Sequence, residues 1–177
     1  DVYKRQHKGY AALPDVSADL GALARHSVAV VASGVKSLLD VAATREALET
    51  LGVCVVGFAT DELPAFYLRE SGLAVDARFD EVGDLGEFVR HELARRGSGI
   101  LVCNPIPEDD ALDAVEFGLW LSRAQREAAQ AGARGRAVTP AVLARLHDVS
   151  GGATLRANLA LVKSNAALAG RLAAALG

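Results

Sequence analysis

Methionine is absent from this 177-residue sequence, and cysteine is nearly absent. Because translation starts at Met, this absence predicts that a leading segment was removed or that the chain belongs to something longer. Cys54 and Cys103 each lie inside a short apolar run, and two isolated thiols make neither a zinc site nor a disulfide framework. We therefore interpret them as small buried side chains in a reducing cytoplasm.

An excess of one charge and long apolar runs are also lacking. The net charge is -3, from 19 basic and 22 acidic residues that are interspersed along the chain, so no basic patch for nucleic acid or an anionic membrane is evident. No uninterrupted apolar run approaches the ~20 residues of a membrane span. The chain is instead 51% hydrophobic and 23% charged, the balance of a globular domain. We expect a cytoplasmic protein with neither a nucleic-acid nor a membrane partner.

Short valine-rich runs predict parallel strands that are covered on both faces. These runs span residues 28–32, 53–58 and 100–103. Between the first two runs, the pattern predicts a helix with Asp40 as N-cap and a stop at Gly52. A short helix from Pro64 and a longer one that ends at Gly97 are predicted before the third strand.

After the third strand the pattern changes to helices. They are predicted over residues 111–131, 140–149 with Thr139 as cap, and 155–175. The predicted fold class is α/β, a three-layer α/β/α arrangement with a largely parallel sheet and a helical C-terminal part.

Lys36 follows the first predicted strand, at the sheet edge where ligands bind in parallel α/β proteins. A phosphate-binding loop is excluded because that motif needs glycine directly before the lysine, where Val35 stands. Loss of solvation lowers the pKa of a lysine and makes its neutral amine available as a Schiff-base nucleophile. The alternative is a solvated lysine at the start of a helix.

Asp15, Ser17 and Asp19 alternate along the segment DVSAD, which places their oxygens on one side of an extended chain. Such a set can bind a hard divalent cation or sugar hydroxyls. The alternative is that Asp15 or Ser17 caps the helix that follows.

Asparagines mark two further places. Asn158 and Asn165 lie two helical turns apart beside apolar neighbours, and an unpaired buried amide costs about 1–3 kcal/mol, so they either bond to backbone or face a ligand. Asn104 follows the third predicted strand and precedes Pro105 and Pro107. It either lines a ligand crevice or simply forms a turn. Among the four histidines, only His7 is placed for a site, in a loop ahead of the Asp cluster.

Four blocks of sequence, in this order, resemble one known family: DVSADLGALAR, VVASGVKSLLDVAATREALETLGVCVVGFATDELPAFYLRESG, GILVCNPIPEDDALD and SGGATLRANLALVKSNAALA. They extend from about His7 to the C-terminus and resemble the pseudouridine-5'-phosphate glycosidase, or indigoidine synthase A-like, family. The resemblance implies reversible cleavage of the C-glycosidic bond of pseudouridine 5'-phosphate to uracil and ribose 5-phosphate. It also implies one divalent metal ion per subunit, typically Mn2+, and a homo-oligomer, with trimers typical of the family.

The resemblance also assigns roles to residues. Lys36 matches the covalent nucleophile and Asp15 the metal-binding carboxylate. The positions that match substrate contacts are Ser17, Ala18, Asp19, Asn158 and His7. An imine at Lys36 suits this reaction, because a carbon leaving group needs an electron sink that the two carboxylates of ordinary glycosidases do not supply.

Residues 1–6 depart from the family pattern and are expected to be a non-native head. Residues 7–177 then correspond to the C-terminal portion of a single α/β glycosidase domain, without the N-terminal part that carries the acid/base glutamate in the family, and are expected to be inactive alone. Two alternatives stay open: another sugar-phosphate Schiff-base lyase, and a non-catalytic module that binds a pentose phosphate or nucleotide.

Overall fold

The structure of the chain is a computed structural model that describes residues 18–35, 40–134 and 137–177. The strands are β1 Ala29–Ala32, β2 Cys54–Phe58, β3 Ala77–Phe79 and β4 Ile100–Cys103. The helices are α1 Ala18–Arg25, α2 Val41–Thr50, α3 Val82–Arg96, α4 Ala114–Gln130, α5 Val138–Val149 and α6 Ala153–Leu176, and Glu108–Asp110 forms a 3-10 turn.

The four strands form one parallel sheet in the order β1-β4-β2-β3. β4 lies between β1 and β2 and is buried at all four of its residues, as expected for a parallel sheet that is covered on both faces. Since all strands run the same way, their carboxyl ends meet at one edge of the sheet. Ser33 follows β1 at this edge, and Asn104 follows β4.

Apolar side chains cover the sheet on both faces, so the predicted three-layer α/β/α arrangement is confirmed. On one face, α1 and α2 contribute Leu23 and Leu48 to a core with Val55, Leu101 and Cys103. On the other face, α3 and the second half of α6 pack on the strands. The buried residues of that core are Val56, Leu85, Val89, Ile100, Val102, Leu168 and Leu172.

The helical C-terminal part has a core of its own. Helices α4, α5 and the first half of α6 surround it, and its buried residues include Phe117, Ala124, Val142, Leu146 and Leu161. Tyr67 and Ile106 from the loops beyond β2 and β4 complete this core. It therefore adjoins the carboxyl edge of the sheet, because both loops leave the sheet there.

Several predicted helix ends are confirmed. The Asp40 side chain accepts a hydrogen bond from Ala43 N at 2.9 Å and caps α2. α3 ends at Gly97, which has a left-handed φ of 71°, a conformation that glycine adopts without steric penalty.

The prediction of a short helix from Pro64 is wrong, and strand β3 was not predicted. The Glu62 carboxylate accepts from the backbone N–H groups of Ser71 and Gly72 at 3.1 and 2.7 Å, and Phe66 has a φ of 65°, so this segment folds as a loop around side-chain bonds. β3 has only three residues, which is too short for an apolar pattern to reveal.

The starts of α4 and α5 also differ from the prediction. α4 begins at Ala114 rather than residue 111, because the Asp113 carboxylate accepts from Val115 N at 3.0 Å and Glu116 N at 2.9 Å. α5 begins at Val138, so Thr139 lies inside its first turn and is not its cap.

Candidate active site

Three polar side chains from distant parts of the chain meet at the carboxyl ends of β1 and β4. Asn165 Oδ1 accepts hydrogen bonds from Ser33 Oγ at 3.2 Å and from Asn104 Nδ2 at 2.9 Å, while Asn165 Nδ2 donates to Ser33 Oγ at 3.1 Å. Asn104 Nδ2 also donates to Ser164 Oγ at 3.0 Å. We call Ser33, Asn104, Ser164 and Asn165 the asparagine network; it ties α6 to the ends of two neighbouring strands.

Burial makes this network rigid. Ser33 is 2% exposed and Asn104 is 8% exposed, and a polar group so far from water loses free energy when it lacks a partner. Among the described residues, every buried side-chain nitrogen or oxygen has one. Asn104 thus acts through its side chain instead of forming a plain turn, and Asn165 bonds to side chains, an option that the sequence did not single out.

The backbone that follows Ser33 is held against the loop beyond β2. Gly34 has a φ of 74°, and a Cβ built on it would lie 1.6 Å from the carbonyl oxygen of Pro64, so only glycine fits. Phe66 N donates to Ser33 O at 2.9 Å, and Phe66 itself has a positive φ, which is rare for a bulky residue. The chain is therefore clamped two residues before Lys36.

Most residues to which the sequence assigned roles lie outside the described part. These are His7, Asp15, Ser17 and Lys36, as well as the head at residues 1–6. Ala18 begins α1, and Asp19 lies exposed in its first turn. Asn158 is half-buried on α6, two turns before Asn165. The roles of all these residues remain predictions.

The described residues do not by themselves supply a metal site. In the ranges 18–35, 40–134 and 137–177, no three His, Cys, Asp or Glu side chains converge as metal ligands would. Because Asp15 lies outside these ranges, the geometry neither includes nor tests the predicted ligand.

A polar cavity of about 200 Å³ opens beside the asparagine network. It lies at the carboxyl ends of β2 and β3 and reaches Pro105, the residue after Asn104. Arg78 and Asp61 line it, and the Arg78 guanidinium pairs with Asp61 at 2.6 Å and with Asp80 at 2.8 Å. These hydrogen bonds raise the pKa of Arg78. The sequence did not indicate this cavity, because the lining residues that follow β2 were assigned to a loop and to the short helix predicted from Pro64.

Neither cysteine is set up as a nucleophile. Burial raises the pKa of the Cys103 thiol to about 12, and burial together with the nearby Asp76 carboxylate raises that of Cys54. Both thiols are neutral near pH 7, and a neutral thiol is a poor nucleophile. The interpretation of Cys103 as a buried small side chain is confirmed, whereas Cys54 is only half-buried.

Comparison with known proteins places these features in one family. Residues 6–175 match the family model described as "Indigoidine synthase A like protein". The pseudouridine-5'-phosphate glycosidase of Methylobacterium nodulans is 48% identical over 171 residues, which are 96% of this chain and 51% of that protein. The enzyme of the same name from Dinoroseobacter shibae is 46% identical, over 96% of this chain and 56% of that protein.

Two solved structures share the fold. The prealnumycin C-glycosynthase AlnA, in complex with ribulose 5-phosphate, has a TM-score of 0.86 and 34% identity over 97% of this chain and 56% of its own. An indigoidine synthase A-like protein from Thermotoga maritima has a TM-score of 0.77 and 38% identity, over 90% and 53% respectively. The chain spans about half the length of the proteins it matches. On the extent of the family match and the identity to these relatives, the chain belongs to the indigoidine synthase A-like protein family.

Proposed function

We propose that this chain forms the nucleophile-bearing part of a pseudouridine-5'-phosphate glycosidase, which reversibly cleaves the C-glycosidic bond of its substrate to uracil and ribose 5-phosphate. The observation that carries the proposal is its likeness to curated enzymes of that name, 43–48% identical over 94–99% of this chain. Such enzymes handle a pentose phosphate, and AlnA was solved with one bound. Residues 7–177 correspond in this proposal to the C-terminal portion of the glycosidase domain.

The asparagine network supports Lys36 as the nucleophile. Lys36 follows Ser33 by three residues, and three residues of chain span at most about 11 Å. Ser33 is fixed by Asn165, and Gly34 is fixed by the loop beyond β2. The described backbone that leads to Lys36 is thus held in place up to Gly34, and positioning a nucleophile lowers the barrier to reaction.

In the proposed reaction, Lys36 forms a covalent bond with the sugar. The Lys36 amine bonds to C1' of the ribose while the bond from C1' to the ring oxygen opens. A proton delivered to the uracil carbon then allows the carbon–carbon bond to break, and its electrons leave with uracil as the nitrogen lone pair forms the lysine imine. Water hydrolyses the imine and releases ribose 5-phosphate. One water is consumed overall.

The remaining roles follow the family resemblance. Ser17, Ala18, Asp19, Asn158 and His7 are proposed as substrate contacts. Asp15 is proposed to hold one divalent ion, Mn2+ in this family, which would supply positive charge near the substrate oxygens. We further propose a cytoplasmic homo-oligomer, with the trimer typical of the family.

Uracil release tests the proposal. A polypeptide of the relatives' length that contains this sequence is incubated with pseudouridine 5'-phosphate, alongside its Lys36→Ala variant and an exposed-lysine control, Lys163→Ala. We expect release by the parent and by the control, and a loss of more than about 1,000-fold in the Lys36→Ala variant, because removal of a covalent nucleophile costs many powers of ten in rate. An unchanged rate in that variant would show that Lys36 is not the nucleophile. Chelation with EDTA followed by addition of Mn2+ tests the metal in the same assay.

A second candidate has support from AlnA, which is named as a C-glycosynthase. This chain would then form or cleave a carbon–carbon bond between a pentose phosphate other than ribose 5-phosphate and a ring other than uracil. Borohydride reduction traps a lysine imine, so adducts formed with ribose 5-phosphate and ribulose 5-phosphate distinguish the two candidates. Binding of either sugar phosphate without any adduct would favour the non-catalytic binding module.

A further inference from the structure

Helix α6 has two apolar sides, and only one of them is packed. Its packed side contains Ala157, Leu161, Leu168 and Leu172, which are buried in the two cores. A second apolar line is exposed along its whole length: Leu155, Leu159, Val162, Ala166, Ala169 and Ala173. We call these six residues the α6 seam. The three large side chains of the seam are 50–54% exposed.

The spacing of the seam is that of a helix-packing surface. Its residues follow one another at alternating intervals of four and three, the heptad pattern with which one helix packs along another. The seam is about 27 Å long at 1.5 Å per residue, and its second half consists of alanines, which permit close approach of a partner helix.

A surface helix normally exposes a polar face, and α6 does not do so along the seam. By length and composition alone, α6 is apolar enough to cross a membrane, a test that core helices of globular proteins also pass. Helices that are apolar on most sides are buried, yet only 17% of the most apolar window of α6 is buried in this chain. The exposed flank beside the seam carries Arg156 and Lys163, which disfavours lipid.

The seam lies on the flank of α6 that faces away from α3. On the α3 side, the Arg90 guanidinium donates to Ala175 O at 2.8 Å, and Arg171 lies over the Phe58 ring of β2. At 100° per residue, Ala175 and Arg171 are on the opposite flank from the seam. Only the second half of α6 packs on the sheet, so the alanines of the seam lie towards β1, and the three large side chains lie beside the helical core.

The sheet is open at its β1 margin. Within residues 18–35, 40–134 and 137–177, β1 pairs with β4 alone, so its outer edge is open there. On the face of the sheet that α1 and α2 cover, Val30 is 38% exposed. An open edge strand beside an uncovered apolar helix is a surface that proteins usually cover. Among the described residues, neither the outer edge of β1 nor the α6 seam is covered by another element.

The length of the relatives indicates the occupant. The matched region is only 51–57% of the curated enzymes, so more than 40% of each relative lies outside it. We propose that this outside part packs against the β1 margin and seats a helix on the α6 seam. Asn165 lies on α6 between its packed side and the seam, so the occupant would border the candidate active site. The inference concerns packing and does not depend on which reaction is catalysed.

Cysteine labelling tests the proposal directly. Leu159→Cys is placed in the seam, and Ala167→Cys, one turn after Lys163 on the exposed charged flank, is the control. Both are made in this chain and in a chimera in which the chain replaces the matching region of the Dinoroseobacter shibae relative. Maleimide labelling is read peptide by peptide, which separates these sites from Cys54 and Cys103. We expect labelling at position 159 to be at least tenfold slower in the chimera, and labelling at position 167 to be equal in the two proteins.

Other outcomes overturn the proposal. Equal labelling of position 159 in the folded chimera would show that the outside part packs elsewhere, and equal protection of positions 159 and 167 would show no preference for the seam. Protection in this chain that grows with its concentration would assign the seam to a second copy. Protection by vesicles of phosphatidylethanolamine and phosphatidylglycerol would assign it to lipid. If the chimera fails to fold, the two parts are co-expressed, and failure to co-purify overturns the proposal.

Discussion

Replacing Asn165 by alanine removes the central member of the asparagine network. Ser33 Oγ loses both of its bonds to Asn165, and Asn104 Nδ2 loses one of its two bonds. At about 1 kcal/mol per hydrogen bond, the three bonds sum to about 3 kcal/mol. Because Ser33 is 2% exposed, solvent does not readily replace them.

The matched control is Ser164→Ala. It removes one bond, from Asn104 Nδ2 at 3.0 Å, and leaves Asn165 in place, so we expect a loss of about 1 kcal/mol. For a chain of this size, 1 kcal/mol corresponds to about 2–4 °C in Tm. Thermal unfolding followed by circular dichroism should therefore show a drop of about 6–12 °C for Asn165→Ala and about 2–4 °C for Ser164→Ala.

A double-mutant cycle separates the network from a general packing effect. Ser33→Ala and Asn165→Ala remove the same two bonds, so their effects should overlap, with a coupling of about 1–2 kcal/mol. The reasoning is refuted if the two substitutions are additive, or if Asn165→Ala destabilises the chain no more than Ser164→Ala does.

Three further predictions concern the fold around the site. Gly34→Ala should destabilise the chain well beyond the roughly 1–2 kcal/mol of left-handed strain, because its Cβ would overlap Pro64 O. The control Gly52→Ala, with a φ of 68° and open space around it, should show the strain alone. Equal losses of stability in urea unfolding would contradict the close contact at Gly34. The raised pKa of Cys103 means that its contribution to stability is complete below its ordinary pKa of 9.0 and declines as the pH rises from there towards about 12, by up to about 1.4 kcal/mol per pH unit. The free energy of unfolding of Cys103→Ala should therefore fall less steeply between pH 9 and 10.5 than that of the parent, and parallel profiles would argue against this role. Asp113→Ala should cost about 1 kcal/mol through loss of the α4 cap, while Asp113→Asn should restore most of it; a neutral Asp113→Ala in the same unfolding assay would rule out the cap.

The sequence alone determined the elements that depend on local chemistry. Strands β1, β2 and β4 were predicted because valine-rich runs need cover on both faces, and α2 and α3 because Asp40 and Gly97 act on backbone groups within a few residues of themselves. Family membership also followed from the order of the sequence blocks, and the match over residues 6–175 confirmed it.

Tertiary structure alone decided the parts that depend on distant residues. Asn165 meets Ser33 across 132 positions of sequence and Asn104 across 61, and no local pattern indicates which of several asparagines will be paired in this way. The loop after β2 resembles a helix in sequence but bends around Glu62 and the clamp at Gly34. The apolar residues of the α6 seam are present in the sequence, but their exposure becomes visible only once the packing of the other side of α6 is known, because burial depends on which elements lie nearby.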